Sequence, residues 1–135
     1  MQLEPSLSIQ DAVYSALATV NAAGGRIFLR VPAKTPLPYI EFGQDHILGA
    51  HEEGGDMFEV NVEVSAFAAD MDSLKAVVNA IFGALYAPIE IVGFKAFEFH
   101  YEGTRFHKEY DDTGATGTTE QADCSFRYLV ERQPV

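Results

Sequence analysis

Residues 57–68, MFEVNVEVSAFA, alternate apolar and polar side chains more regularly than any other stretch of the chain. Phe58, Val60, Val62, Val64, Ala66 and Ala68 fall on one side of an extended backbone. Glu59, Asn61, Glu63 and Ser65 fall on the other. A slip of one residue would turn two glutamates into the core, so the register is strongly fixed and a central strand is expected. Each large side chain buried there contributes roughly 1.5–3 kcal/mol.

Helical periods flank the first and second runs of β pattern. Ile9, Ala12, Val13, Ala16, Leu17 and Val20 share one face of a 3.6-residue period. Ser8 with Asp11 forms a weak capping box, and Gly24 and Gly25 stop the turn. A first helix is therefore predicted over about residues 8–22. A second begins at Asp70 or Asp72 and carries Leu74, Val77, Val78, Ile81, Phe82 and Leu85 on one face, with Pro88 marking its exit. Gly83 inside it costs about 1 kcal/mol relative to alanine; a close approach of helix to sheet would account for it.

The remainder has β character. Residues 26–31 alternate, with Ile27, Leu29 and Val31 on one side, and Pro32 ends the strand because it has no N–H to donate. Pro36 and Pro38 stiffen the crossing into a second strand that begins at Ile40 and Phe42. From Gly43 to Asp56 the chain is either a long exposed loop or a hairpin with a wide tip. A short apolar run covers 89–92. Phe97, Phe99 and Tyr101 then alternate with Glu98 and His100, and Glu102-Gly103 predicts a tight turn. Folding back there sets Phe106 and Tyr110 on the aromatic face, and Arg105 and His107 beside Glu98 and His100. Residues 111–121 are expected to be a flexible loop. In the last strand Ala122, Cys124, Phe126, Tyr128 and Val130 oppose Asp123, Ser125, Arg127 and Glu131. The order α, β-β-β, α, β-β-β predicts an α+β fold: an antiparallel-rich mixed β-sheet with two helices packed on one face, as a single domain over 1–135.

Composition narrows the function. With 135 residues, 47% hydrophobic and 21% charged, the chain is expected to be one globular domain. Its apolar runs are too short to span a bilayer, so no membrane partner is expected. The N-terminus lacks the basic and apolar regions of a signal peptide. A single cysteine permits no internal disulfide and suits a reducing cytoplasm. Net charge is −11, from 20 acidic and 9 basic residues, which opposes tight wrapping of nucleic acid. Such a balance serves solubility, or keeps passing DNA from sticking by like-charge repulsion.

Enzyme signatures are lacking: the sequence has no Walker loop, dinucleotide fingerprint or nucleophile elbow. HEEGG at 51–55 begins like a zinc-protease motif but lacks its second histidine. His46, His51, Glu52, Glu53 and Asp56 could bind a divalent metal, though a solvated polar loop is the better account. His100 and His107 could meet across the expected hairpin, but they lack a third ligand. The aromatics of 97–110 could stack bases; with basic residues sparse beside them, core packing explains them better. Cys124 has the phase of a core residue. Asp111-Asp112 is ordinary turn chemistry. Arg26, Arg30 and Lys34 lie within nine positions, while Glu52, Glu53 and Asp56 crowd another loop. These are either two unrelated solvated patches or the two sides of a contact between neighbouring subunits of a ring.

The order of elements, together with GGRIFLRVP, PLPYIEFG, FEVNVEVSAFA, DMDSLKAVV, PIEIVGF and CSFRYLVER, resembles the tail-terminator (tail-completion, or head-tail joining) proteins of long-tailed phages and gene transfer agents. The resemblance spans roughly residues 5–132, and the acidic 50–56 loop and long 111–121 loop depart from the common pattern. It implies a non-enzymatic virion protein without cofactor or metal, assembled in the host cytoplasm. It implies a hexameric ring that caps the tail tube protein and docks to the head-side connector or stopper, while DNA passes through without sequence-specific binding. Arg26, Arg30, Lys34, Glu52, Glu53, Asp56, Asp111 and Asp112 are then candidate subunit or partner contacts. A head-completion stopper, a small metal-dependent hydrolase and a generic ligand-binding domain stay open as alternatives.

Overall fold

A computed structural model of the chain describes residues 4–19, 23–49, 56–87, 89–110 and 118–134. The elements are α1 (Ser6–Leu17), β1 (Ile27–Phe28), β2 (Tyr39–Gly49), β3 (Met57–Ala68), α2 (Met71–Leu85), β4 (Phe94–Tyr110) and β5 (Thr118–Arg132). The five strands form one mixed sheet in the order β1-β2-β3-β5-β4. Only the β1–β2 pair is parallel. This is the expected α+β architecture, with both helices on one face.

β3 takes the central position that its alternation demands. Val60, Val62, Val64 and Ala66 pair with Tyr128, Phe126, Cys124 and Ala122 of β5, and all eight are at most 1% exposed. The helices cover this surface with Ile9, Val13 and Leu17 of α1 and Leu74, Val77, Ile81 and Leu85 of α2. Asp70 is the α2 cap: its carboxylate accepts from the Ser73 backbone N–H at 2.8 Å. That bond, with the one from the Ser73 hydroxyl, holds the Asp70 carboxyl below its usual range. Tyr128 is buried, and its hydroxyl donates to the Leu85 carbonyl at 2.7 Å, tying the end of α2 to β5.

Several expectations are corrected. α1 starts at Ser6 and ends at Leu17 rather than spanning 8–22. Glu4, not Ser8, accepts from the N–H and hydroxyl of Ser6 at the start, and Thr19 donates its hydroxyl back to the Ala16 carbonyl at the end. β1 has two residues instead of six. Beyond Phe28 the chain leaves the sheet, so Leu29 is 50% exposed rather than in the core. β2 continues to Gly49, making 39–68 a hairpin, with a register shift between Glu41 and Gln44.

The largest correction lies in β4. Glu102-Gly103 is not a turn. It is an irregularity within one continuous 17-residue strand, and Gly103, at φ 139°, supplies the backbone conformation that the bulge needs. A second irregularity at Phe97 turns that ring off the ladder, where Lys95 covers it at 5.2 Å. Glu98, His100, Arg105 and His107 do share a face, because the single bulge at Glu102 between the two pairs shifts the alternation by one residue. His100 and His107 do not meet: they pair with Arg127 and Gln121, six residues and about 20 Å apart along β5. The expected 111–121 loop overlaps β5, which already begins at Thr118.

Gly83 faces open space: nothing lies within 4 Å of where an alanine Cβ would stand, so no close helix–sheet approach explains it. Gly83→Ala should therefore stabilise the protein by about 1 kcal/mol. Gly43 is the opposite case: φ is 103° and a Cβ would sit 2.6 Å from Leu29 Cδ2. Gly43→Ala should destabilise by about 1–3 kcal/mol, and urea unfolding of the two variants beside the parent measures both shifts.

Candidate functional site

The sheet face turned away from the helices is polar and cross-braced. Ser65 Oγ donates to Asp123 Oδ1 at 2.7 Å, and Gln121 Nε2 donates to the same oxygen at 3.0 Å. His107 Nε2 lies 2.9 Å from Asp123 Oδ2, with Arg105 Nη2 at 3.9 Å. Burial pushes the Asp123 carboxyl up, but the hydrogen bonds from Ser65, Gln121 and His107 outweigh it and leave it below the usual range. The carboxylate stands between hydroxyl and imidazole, so His107 is not placed to take the Ser65 proton. The network joins β3, β5 and β4. Arg127 does the same further along, 3.2 Å from Glu59 and 3.1 Å from Glu102.

On the helix side, Asp45 of β2 pairs with Val62 and so turns toward the core. Among the described residues its Oδ1 is buried without a hydrogen-bond partner. Burial raises its pKa from an ordinary 3.8 to about 6. Its charge, second to burial, also helps push the Tyr128 phenol up. Cys124 is buried, receives a hydrogen bond from the Thr104 hydroxyl at 3.6 Å, and has its pKa raised by burial, as a packing residue should.

The expected contact residues divide. Arg26 is held by its own chain, its Nε donating to the Pro38 carbonyl at 2.8 Å. Arg30 and Lys34 are exposed beside β1. Asp56 lies 3.1 Å from Arg132 Nη1, which closes the end of the β2–β3 hairpin against β5. Glu52, Glu53, Asp111 and Asp112 lie outside the described residues, as does His51 of the possible metal cluster. His46 pairs with Asn61 on the outer face. Among the described residues no group of three or more His, Cys, Asp or Glu could hold a metal ion.

Two surface features go beyond the expectations from sequence. First, the β2–β3 and β4–β5 hairpins point to opposite ends of the sheet. Residues 49 and 57 lie at the end where β4 begins and β5 finishes, while 110 and 118 lie at the other. Second, a groove of about 640 Å³ runs between α2 and β4, lined by Lys75, Val78, Asn79, Phe82 and Tyr101. Phe82 stacks on Tyr86 at 4.9 Å and meets Tyr101 edge-on at 5.0 Å, yet Tyr86 and Tyr101 remain 48% and 39% exposed. The sequence held a signal for the groove: Lys75, Asn79, Phe82 and Tyr86 recur at helical spacing along one flank of the core stripe of α2. Only the edge position of β4 leaves that side exposed.

The chain thus presents a sheet braced on its polar face, two long hairpins and an exposed aromatic groove at one flank. The sequence matches the tail completion protein gp17 family over residues 11–131, and the chain belongs to that family. Its role is that of a structural phage-tail protein. No curated protein matches the sequence. Among solved structures, a chain from "Virion of native gene transfer agent (GTA) particle" is similar, with a TM-score of 0.78 and 19% identity. The alignment covers 96% of this chain and 99% of that one, so the two share a fold.

Asp45 gives the surface a measurable signature. A carboxyl whose pKa is raised on folding adds stability that is complete below 3.8 and lost as pH rises through about 6. Asp45→Asn should therefore raise stability at pH 8 by on the order of 1–2 kcal/mol, allowing for partial exposure. The gain should vanish below pH 4. Thermal unfolding across that range checks the sign.

Proposed function

We propose that this protein forms the hexameric ring that ends the tail tube and joins it to the head-side connector, with DNA passing through the centre. The observation that carries the reading is the opposed direction of the two hairpins. A protein that joins two different structures needs contact elements at both ends of a rigid body. Here the strand ends at 49 and 57 and those at 110 and 118 lie at opposite ends of a sheet whose strands are about 40 Å long. One tip meets the tube and the other the connector. Family membership supplies the tail, and the hairpins supply the two ends.

Charge supports the same reading. Twenty acidic residues against nine basic ones suit a channel that repels duplex DNA without binding its sequence. In a closed ring each subunit offers two different flanks. Arg30 and Lys34, with Arg26 behind them, belong to the β1 flank, and Asp56 to the end of the β2–β3 hairpin; Glu52 and Glu53 precede it in the segment that joins those strands. We place the contact with a neighbour at the first group, and contacts with tube or connector at the second and at Asp111 and Asp112. The role requires no catalysis and no cofactor.

Replacing 111–117 with a short Asn-Gly turn keeps both strands of the β4–β5 hairpin and removes its tip. Particles assembled with that variant should accumulate as separate DNA-filled heads and unjoined tails under the electron microscope. A normal yield of joined, infectious or gene-transferring particles would overturn the assignment.

A further inference from the structure

The α2–β4 groove has an apolar floor, exposed aromatic walls and one charged group. Among the described residues that line it, only Lys75 is ionised. Its lining residues on α2 recur at Lys75, Asn79 and Phe82 and continue to Tyr86, a strip about 17 Å long. Such a groove fits an amphipathic helix that presents apolar anchors at positions i and i+7.

α1 carries that pattern on its solvent side. Leu7, Asp11 and Tyr14 stand at i, i+4 and i+7, all exposed, with Leu7 at 67% and Tyr14 at 49%. Asp11 is the only charged residue in the helix. The stripe is about 10 Å long, which the groove accommodates. It also faces the correct way. Tyr14 lies 5.9 Å from Phe42 and shares a cleft with Ile27 and Leu29, so the stripe belongs to the β1 flank. The groove belongs to the β4 flank, at the opposite edge of the sheet. One subunit therefore carries both halves of a contact on opposite sides, which cannot meet within one copy but can meet between neighbouring copies.

We propose that the α2–β4 groove receives α1 of the next copy of this chain, with Leu7 and Tyr14 against Phe82 and Tyr101 and Asp11 paired with Lys75. This rests on the ring reading and supplies its subunit contact. The pairing is heterologous, the kind that a ring repeats between successive subunits, and it uses the two flanks rather than the ends of the strands.

Asp11→Cys and Lys75→Cys are changes at exposed positions, and Cys124 is 1% exposed and out of reach. Particles assembled with the double variant are treated with a short bis-maleimide and run on a denaturing gel. The expected result is a ladder of covalent multimers of this chain ending at six, with neither single variant giving a ladder. If microscopy shows a ring of this protein at the tail end but no ladder forms, the contact is overturned while the ring stands. If no ring is found at the tail ends of untreated parent particles, the ring reading fails and takes the contact with it.

Discussion

The structure depends on burying one shared face of two neighbouring strands. β3 and β5 each place every second residue inward, and their pairing sets Val60, Val62, Val64 and Ala66 against Tyr128, Phe126, Cys124 and Ala122. A slip of one residue would turn Glu59 and Glu63 inward. Once that face exists, something apolar must cover it, and the inward stripes of α1 and α2 do so. The Tyr128 hydroxyl finds its acceptor at the last carbonyl of α2, which fixes where the helix ends over the sheet.

Because both helices occupy the same side, the other face of the sheet is left to polar residues. Those residues are tied to one another: Ser65, Gln121, His107 and Arg105 converge on Asp123, and Glu59 and Glu102 on Arg127. The Arg127 pairs are partly exposed and contribute little singly, whereas Asp123 is buried and has its hydrogen bonds met by its neighbours. Their effect is to hold three strands at a common register, so that two hairpins project from a stiff slab. Opposed hairpins and two unlike flanks suit the subunit of the ring proposed above.

Much of this was legible from residue order. The phase of β3 and of 122–130, the Asp70 cap, the packing role of Cys124 and the position of both helices on one face follow from local periodicity and capping chemistry. The errors came where local chemistry had two outcomes. Glu102-Gly103 suits a turn or a bulge, and the partner strand β5, long enough to pair on both sides of it, chose the bulge. Residues 26–31 alternate well enough for a strand, but only Ile27 and Phe28 find β2 alongside. Gly83 suggested a close approach, while the helix in fact turns it to solvent.

The sequence by itself determined the elements that bury one face, because the cost of turning Glu59, Glu63 or Asp123 inward is written into the alternation. It could not determine which surfaces would be left without a partner. The aromatic groove beside α2, the Leu7–Asp11–Tyr14 stripe and the Asp45 oxygen, unpaired among the described residues, are set by which strand ends up at an edge and which helix covers which strand. Those are decisions of long-range pairing. Periodicity reports only which side of an element is apolar, and a side chain's neighbours are chosen when distant segments close on one another.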